Sequence, residues 1–78
     1  MELILYGTSE CHLCEQALAL VSAAAGRRPV EYDVADDDAL FAHYGLRIPV
    51  LVRADTGAEL DWPFDAAALA RFIGRAGD

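Results

Sequence analysis

The sequence predicts an α/β fold with the element order β-α-β-α-β-β-α, in which a four-stranded mixed sheet is flanked by helices. Its first half alternates β-prone and amphipathic helical segments, the pattern of a βαβ unit with parallel strands. Its second half contains two β-prone segments separated by a turn signal, which indicates an antiparallel hairpin. With 78 residues, of which 55% are hydrophobic and 24% charged, residues 1–78 are expected to form one domain.

The first half of the chain supplies two strands and a helix. Residues 2–6 are apolar and β-prone, and they end at Gly7, which predicts a buried strand. Residues 11–25 carry apolar or small side chains at helical spacing, and Gly26 follows as a residue suited to the end of a helix. Residues 29–34 alternate between apolar and polar side chains, which predicts a second strand.

An acidic run marks the start of the second helix. The aspartates at 36–38 supply an N-cap and negative charge in the first turn, where the helix dipole favours it. Gly45 and Leu46 are typical of a helix end with a trailing hydrophobic contact. The apolar face of this helix is expected to consist of Leu40, Phe41 and Tyr44.

A hairpin and a third helix complete the predicted fold. Residues 49–53 and 58–62 predict the third and fourth strands, and the Asp-Thr-Gly segment at 55–57 predicts the turn between them. Asp65 is expected to cap the last helix. The residues of that helix that are expected to face inward are Leu69, Phe72 and Ile73.

The charge of the chain excludes some classes of partner. Thirteen acidic residues stand against six arginines and no lysine, for a net charge of -7. Nucleic acids and anionic membrane surfaces need clustered cations, so neither is an expected partner. No apolar run approaches the roughly 20 residues that span a bilayer, and no signal-peptide pattern is visible before the first strand, so neither feature is expected. We therefore expect a cytoplasmic protein.

The two cysteines, Cys11 and Cys14, carry the clearest functional signal. They form a Cys-x-x-Cys motif at the predicted junction of the first strand and the first helix, which in a cytosolic protein indicates redox chemistry. The positive end of a helix lowers the pKa of a thiol from about 8.5 to roughly 3.5–7.5. We therefore expect Cys11 to be an exposed nucleophile and Cys14, one turn further, to be a more buried resolving thiol.

One histidine lies within the motif and another lies further along the chain. Two other interpretations of the cysteines, as core residues or as zinc ligands, remain open. His12, when protonated, would lower the pKa of the Cys11 thiol further. Free cysteines also pack as small hydrophobic core residues. A structural zinc site needs four ligands, and the candidates are Cys11, Cys14, His12 and His43. Because His12 points away from the two cysteines on the same turn, no self-contained zinc site is expected.

A proline stands before the third predicted strand, in the run Arg47-Ile48-Pro49-Val50. The combination of the first strand, the Cys-x-x-Cys motif and this Ile-Pro pair resembles the thioredoxin fold. The short length resembles the glutaredoxin branch, in particular the small bacterial glutaredoxin-like proteins (domain of unknown function 836). The resemblance covers the whole chain, and it implies a thioredoxin-like fold and a role in cell redox homeostasis.

The resemblance also implies roles for residues around the cysteines. Pro49 would be cis and face the disulfide, and the backbone of Ile48 would bind an extended thiol-bearing peptide. Arg47 would lie beside the first cysteine and attract a substrate carboxylate or support the thiolate. Asp65 would cap a helix whose N-terminus accepts a carboxylate. The candidate substrate-binding residues are therefore Arg47, Ile48, Pro49, His12 and Asp65.

Three departures from glutaredoxins concern the electron donor. The pair His12-Leu13 replaces the usual Pro-Tyr, and Thr8 occupies a position that is basic in glutaredoxins. The bulky, acidic segment 61–65 replaces a Gly-Gly pair that lets glutathione approach the backbone. The resemblance therefore implies the fold and the redox motif, but it does not identify the electron donor. The two candidate donors are glutathione and a thioredoxin reductase-type protein.

The expected function is that of a small monomeric thiol–disulfide oxidoreductase, in which Cys11 attacks a disulfide and Cys14 resolves it. Its expected substrates are disulfide-containing or glutathionylated proteins, with no required cofactor and with glutathione as a candidate co-substrate. One alternative is an iron–sulfur cluster shared across a dimer, with a glutathione thiol as co-ligand. Another is a thioredoxin-fold interaction module whose cysteines are unreactive.

Overall fold

The computed structural model describes residues 2–74, which form one four-stranded sheet and three helices. The strands are β1 (Leu3–Gly7), β2 (Val30–Asp33), β3 (Val50–Arg53) and β4 (Glu59–Asp61), and the helices are α1 (His12–Ala25), α2 (Asp38–Tyr44) and α3 (Ala66–Gly74). Strands and helices follow one another in the predicted order, and a short 3-10 turn (Val34–Asp36) that was not predicted follows β2. No helix in this part of the chain is long and apolar enough to cross a membrane.

The sheet has the strand order β2-β1-β3-β4, so β2 and β4 lie at its edges. β1 pairs with β2 in parallel, with Gly7 opposite Asp33. β3 pairs antiparallel with both β1 and β4. The predicted βαβ unit and hairpin are therefore both present. Because β1 ends at Gly7 and α1 begins at His12, the intervening loop lies at the end of the sheet where Asp33 also ends β2.

Helix α1 begins and ends at residues that suit its two termini. Cys11 is its N-cap, with an extended backbone and a Sγ atom that accepts a hydrogen bond from the N–H of Cys14 at 3.1 Å. Gly26 ends the helix with a φ of 75°, a left-handed conformation that glycine adopts without a Cβ clash. The buried side chains of α1 are those of Cys14, Ala17 and Val21, which follow helical spacing.

Two hydrophobic clusters, one larger than the other, hold the elements together. The larger brings together α1, α3 and the sheet, and its buried members are Leu3, Leu5, Ala17, Val21, Leu51, Phe64 and Leu69. The smaller includes Tyr44 of α2 with Val34, Val50 and Val52. Tyr44 also stacks on Tyr6 of β1, with ring centroids 4.3 Å apart. The two clusters pack the middle of α1 and the end of α2 against the same sheet.

Helix α2 buries less of its apolar surface than the sequence predicts. Tyr44 is buried, but Phe41 is 57% exposed and Leu46 is fully exposed. The predictions that Phe41 faces the core and that Leu46 makes a trailing hydrophobic contact are therefore wrong. The helix has only seven residues, about two turns, so it presents a short face to the sheet. The ring of Phe41 covers Gly45 instead, where an added Cβ would lie 3.1 Å from two ring atoms.

A buried arginine joins the hairpin to α3. The side chain of Arg53 is 9% exposed, and it forms hydrogen bonds of 3.1 and 2.7 Å with the carboxylate of Asp55. Its Nη1 atom donates to the backbone carbonyl of Phe72 at 3.1 Å. Since carbonyl groups in the last turn of a helix have no partner within the helix, this contact satisfies one of them. Arg53 therefore fixes α3 against the end of β3.

Candidate functional site

The two cysteines form a disulfide at the N-terminus of α1, with their Cα atoms 5.2 Å apart. Cys11 is half-buried at the N-cap, whereas Cys14 faces the core and is 9% exposed. The N–H of Cys14 points at the Cys11 sulfur, so a backbone dipole is already directed at the atom that would carry the thiolate charge. Cys14 is the more buried of the two, as predicted, whereas Cys11 is half-buried rather than exposed, and the reactivity of both stays a prediction.

Gly7, the last residue of β1, makes room for the second cysteine. A Cβ atom at this position would lie 3.0 Å from Sγ and 3.2 Å from Cβ of Cys14. Both distances are shorter than ordinary van der Waals contacts between such atoms. The absence of a side chain at Gly7 therefore lets α1 approach the strand closely enough to hold Cys14 in its place.

A Gly7→Ala variant is expected to move the Cys14 sulfur and to lose about 1–3 kcal/mol of stability, the usual range for overpacking a core. We expect the rate of Cys11–Cys14 disulfide formation in the reduced variant to fall, because the two sulfur atoms must meet at a defined distance. Urea unfolding and oxidation followed by intact mass measure the two effects. Gly74→Ala is the control, since a Cβ there meets no atom within 4 Å. Equal behaviour of the two variants would contradict the steric role of Gly7.

A groove of about 300 Å³ opens beside the disulfide, between α1 and the edge strand β2. Its lining includes Cys14 from α1 and Gly7 from β1, so it reaches the second cysteine directly. Three carboxylate side chains also line it, those of Glu15, Glu31 and Asp33. The cavity therefore combines the second cysteine with an acidic wall.

Asp33 belongs both to this groove and to the loop that carries the cysteines. Its carboxylate accepts hydrogen bonds from the N–H of Ala35 at 2.9 Å and from the N–H of Ser9 at 3.3 Å. These bonds and a hydrogen bond with the Thr8 side chain hold the pKa of Asp33 below its ordinary value, with the Ala35 bond as the largest cause. Asp33 therefore fixes the loop after β1 while it remains negatively charged at neutral pH.

The Ile48–Pro49 pair lies between α2 and β3, and its peptide bond is cis, as is that of Trp62–Pro63. The N–H of Ile48 donates to the carbonyl of Tyr44 at 3.1 Å, and the carbonyl of Pro49 accepts from the N–H of Trp62 at 3.2 Å. The backbone group that Ile48 can offer to a bound peptide is therefore its carbonyl oxygen. A peptide-binding role for this pair stays a prediction.

Arg47 forms hydrogen bonds with two carboxylates of β4. Its guanidinium donates to Asp61 at 2.8 and 3.2 Å and to Glu59 at 2.5 Å. It also lies 5.3 Å from the ring centroid of Tyr44, within the range of a cation–π interaction. Arg47 lowers the pKa of both carboxyl groups, chiefly through these hydrogen bonds. Its positive charge is therefore compensated within the protein, which weakens the expected role in attracting a substrate carboxylate.

The carboxylates around Arg47 make the stability of the protein sensitive to acid. The pKa values of Glu59 and Asp61 are lower in the folded chain than their ordinary values, which are about 4.3 and 3.9 in unfolded chains. Their stabilising contribution is therefore complete above about pH 5 and is lost as the pH falls through the folded pKa values.

We therefore expect the free energy of unfolding, measured with urea, to be constant near neutrality and to decline below about pH 5. An Arg47→Met variant is expected to be less stable at pH 7 and to decline less steeply, because it no longer stabilises the ionised carboxylates. An unchanged acid slope in the variant would contradict this account.

His12 and Asp65 occupy exposed positions at the starts of two helices. His12 is the first residue of α1, next to Cys11. Asp65 precedes α3, and its Oδ1 atom accepts a hydrogen bond from the N–H of Ala68 at 2.8 Å. Its carboxylate therefore takes one of the N–H groups that a substrate carboxylate would use at this helix end. A substrate-binding role for either residue stays a prediction.

Sequence reasoning missed the partners of Arg47 and the wall of the groove. Glu59 and Asp61 are two residues apart on β4, and this alternation already indicates that they share a face of the strand. The proximity of Glu15 to Asp33 carries no local signal, because one belongs to a helix and the other to an edge strand. Only the packing of α1 beside β2 brings them together.

Comparisons with known proteins agree with this arrangement. The family model described as a glutaredoxin-like domain (DUF836) matches residues 2–74. Among solved structures, protein XcR50 from X. campestris is 42% identical over 94% of this chain and 96% of that chain, with a TM-score of 0.84. Protein Ne2328 from Nitrosomonas europaea is 24% identical over 91% of this chain and 88% of that chain, with a TM-score of 0.77.

A more distant similarity identifies the fold alone. Thioredoxin 1 from Thermosipho africanus is 11% identical, covers 100% of both chains and gives a TM-score of 0.62. No curated protein matches the sequence. The predicted thioredoxin-like fold and the predicted resemblance to glutaredoxin-like proteins are thus confirmed.

Proposed function

The chain belongs to the glutaredoxin-like domain family (DUF836), and from this premise we propose that it is a small thiol–disulfide oxidoreductase. The observation that carries the proposal is the Cys11–Cys14 pair at disulfide distance on the N-terminus of α1. Two cysteines that form a disulfide in the oxidised protein provide a dithiol in the reduced protein. Such a pair exchanges two electrons with a substrate disulfide.

The proposed reaction has two thiol–disulfide exchanges. The Cys11 thiolate attacks one sulfur of a substrate disulfide, forms a mixed disulfide and releases the other substrate sulfur as a thiolate. The Cys14 thiol then loses its proton to solvent and attacks the Cys11 sulfur. This step closes the Cys11–Cys14 disulfide and releases the second substrate thiolate, and both released thiolates take up protons from solvent according to their pKa values. The protein is thereby oxidised and the substrate reduced by two electrons.

The environment of the cysteines supports this division of roles. After reduction, we expect the helix N-terminus and the Cys14 N–H to lower the pKa of the Cys11 thiol, because both stabilise its thiolate. Cys14 is the less exposed of the two, so external disulfides reach Cys11 first. Its position one helical turn away lets it attack the mixed disulfide without a change of fold.

We also propose which molecules react with the protein, as substrates and as electron donor. The exchange needs no cofactor, and the substrates are disulfides in proteins or mixed disulfides between proteins and glutathione. A thiol donor must return the oxidised protein to its dithiol form, and glutathione and a thioredoxin reductase-type protein are the two candidates. We further propose that the protein works as a monomer in the cytoplasm.

A redox titration tests the proposed function. The purified protein is equilibrated in glutathione buffers of graded potential, quenched and measured by intact mass, with Cys11→Ser as the control. We expect the wild type to pass between dithiol and internal disulfide at a midpoint of roughly -270 to -120 mV. Absence of this transition at every potential would overturn the proposal. A visible absorbance band in freshly purified protein would instead favour cluster binding.

A further inference from the structure

The groove beside the disulfide is lined by both acidic and apolar side chains. Leu5, Leu18 and Cys14 are among its apolar lining residues. Arg28 forms an ion pair with Glu31 at 2.6 Å, so that carboxylate is compensated. The sign of the charge in the groove is therefore set mainly by Glu15 and Asp33. Glu15 lies in the first turn of α1, one residue after Cys14.

The surroundings of the disulfide add little positive charge to this wall. Arg47, which the resemblance places beside Cys11, forms hydrogen bonds with Glu59 and Asp61, two negative groups for one positive group. Glu10 directly precedes Cys11 and is exposed. The whole chain carries a net charge of -7. A negatively charged molecule that approaches the disulfide is therefore repelled both by the nearby carboxylates and by the protein as a whole.

Glutathione is a poor match for such a site. Each glutathionyl group carries two carboxylates and one ammonium group, so glutathione disulfide is negatively charged at neutral pH. A disulfide in a neutral or basic polypeptide segment meets no such repulsion. The cationic side chains of a basic segment can also pair with the carboxylates of the groove. The groove is lined by Thr8, Ser9 and Cys14, which stand on either side of Cys11 in the sequence, so a substrate chain attached to Cys11 is close enough to experience the charge of this wall.

We propose that the groove formed by α1 and β2 selects substrates by charge, so that the protein reduces disulfides carried on neutral or basic polypeptide segments in preference to glutathione-type anionic disulfides. This inference rests on the proposed oxidoreductase function, and it names the substrate class of the same site. The chemical step is unchanged: the dithiol loses two electrons to the substrate disulfide, which leaves as two thiols. Charge affects the approach and the placement of the substrate chain.

Three small disulfides with the same two-carbon arms separate charge from size. Cystamine carries two ammonium groups, bis(2-hydroxyethyl) disulfide is neutral, and 3,3′-dithiodipropionate carries two carboxylates. The rate at which each oxidises the reduced protein is measured by quenched intact mass and divided by its rate with dithiothreitol, which corrects for intrinsic reactivity. We expect the normalised rates to fall in the order cationic, neutral, anionic, with about a tenfold span at low salt. The span should shrink at about 1 M salt, where the Debye length is about 3 Å.

Matched variants test whether the groove causes the selection. Glu15→Gln removes one charge from the groove, and Glu2→Gln removes the same charge at the other end of the sheet, before β1. We expect Glu15→Gln to reduce the ratio of cationic to anionic rates about threefold, because one charge about 14 Å away in water changes the two rates in opposite directions by about 1.6-fold each. Glu2→Gln should leave the ratio close to that of the wild type. Circular dichroism and urea unfolding confirm that both variants are folded.

The outcomes distinguish this inference from the proposed function. Equal normalised rates for the three disulfides, or a preference for the anionic one, would overturn charge selection while the oxidoreductase function stands. Equal effects of Glu15→Gln and Glu2→Gln would overturn the assignment to the groove. Failure of the reduced protein to react with any of the three disulfides would overturn the proposed function itself.

Discussion

A Cys14→Ser variant is expected to form a mixed disulfide on Cys11 and to remain in that state. Cys11 keeps its position at the N-cap of α1, so its attack on a substrate disulfide proceeds. The second exchange has lost its nucleophile, because a serine hydroxyl does not attack a disulfide. Incubation with a disulfide-containing protein should therefore produce one covalent adduct per molecule and almost no further turnover. Intact mass and non-reducing electrophoresis detect the adduct.

The matched control for this trap is Cys11→Ser, in which Cys14 is the remaining thiol. Cys14 is 9% exposed and faces the core, so we expect few or no adducts under the same conditions. Adducts of equal amount in the two variants would contradict the assigned order of attack. Turnover of Cys14→Ser at the wild-type rate with added glutathione would show that the second cysteine is dispensable, and the two-cysteine mechanism would then be wrong.

Truncation of Leu51 to alanine is expected to destabilise the protein by about 2–5 kcal/mol, the range for buried leucine. Leu51 is 0% exposed in the middle of β3, opposite Leu5 on one side and Leu60 on the other. A chain of this length has a total stability of roughly 4–12 kcal/mol, so the loss removes a large part of it. Urea unfolding measures the change.

Leu46→Ala is the control for this truncation, because it deletes the same atoms from a fully exposed side chain. We expect its stability to lie within about 0.5 kcal/mol of the wild type. If Leu51→Ala does not fold, Leu51→Met still tests the site, and it should lose less than about 1.5 kcal/mol because it conserves volume. Comparable losses for Leu46→Ala and Leu51→Ala would contradict the described core.

The elements that the sequence predicts best are those with local signals at both ends. Helix α1 has a cysteine pair at its start, a regular apolar face and Gly26 at its end, and all three are found in place. The number of strands and the hairpin of β3 and β4 follow from the spacing of the β-prone segments and from the Asp-Thr-Gly turn before β4. These features depend on residues that are close in sequence, so pattern alone identifies them.

The features that escaped prediction depend on contacts between distant segments. Phe41 and Leu46 are hydrophobic residues on or beside a short helix, and no local pattern tells whether the sheet extends far enough to cover them. The resemblance implies a place for Arg47 beside Cys11, but no local pattern predicts its hydrogen bonds with Glu59 and Asp61 of β4, more than ten residues further along the chain. The position of the cysteine pair can therefore be predicted from the sequence, whereas its electrostatic surroundings cannot.

The position of β2 at the edge of the sheet bears on self-association. An edge strand leaves N–H and C=O groups open to a second chain, and such strands are points at which proteins aggregate. Two copies that paired along β2 would place Asp33 of each strand beside the other strand, about 5 Å away, whereas Glu31 is compensated by Arg28. Repulsion between the ionised Asp33 side chains opposes this pairing. Acidification that protonates Asp33 would remove the protection and leave this edge free to assemble into larger sheets.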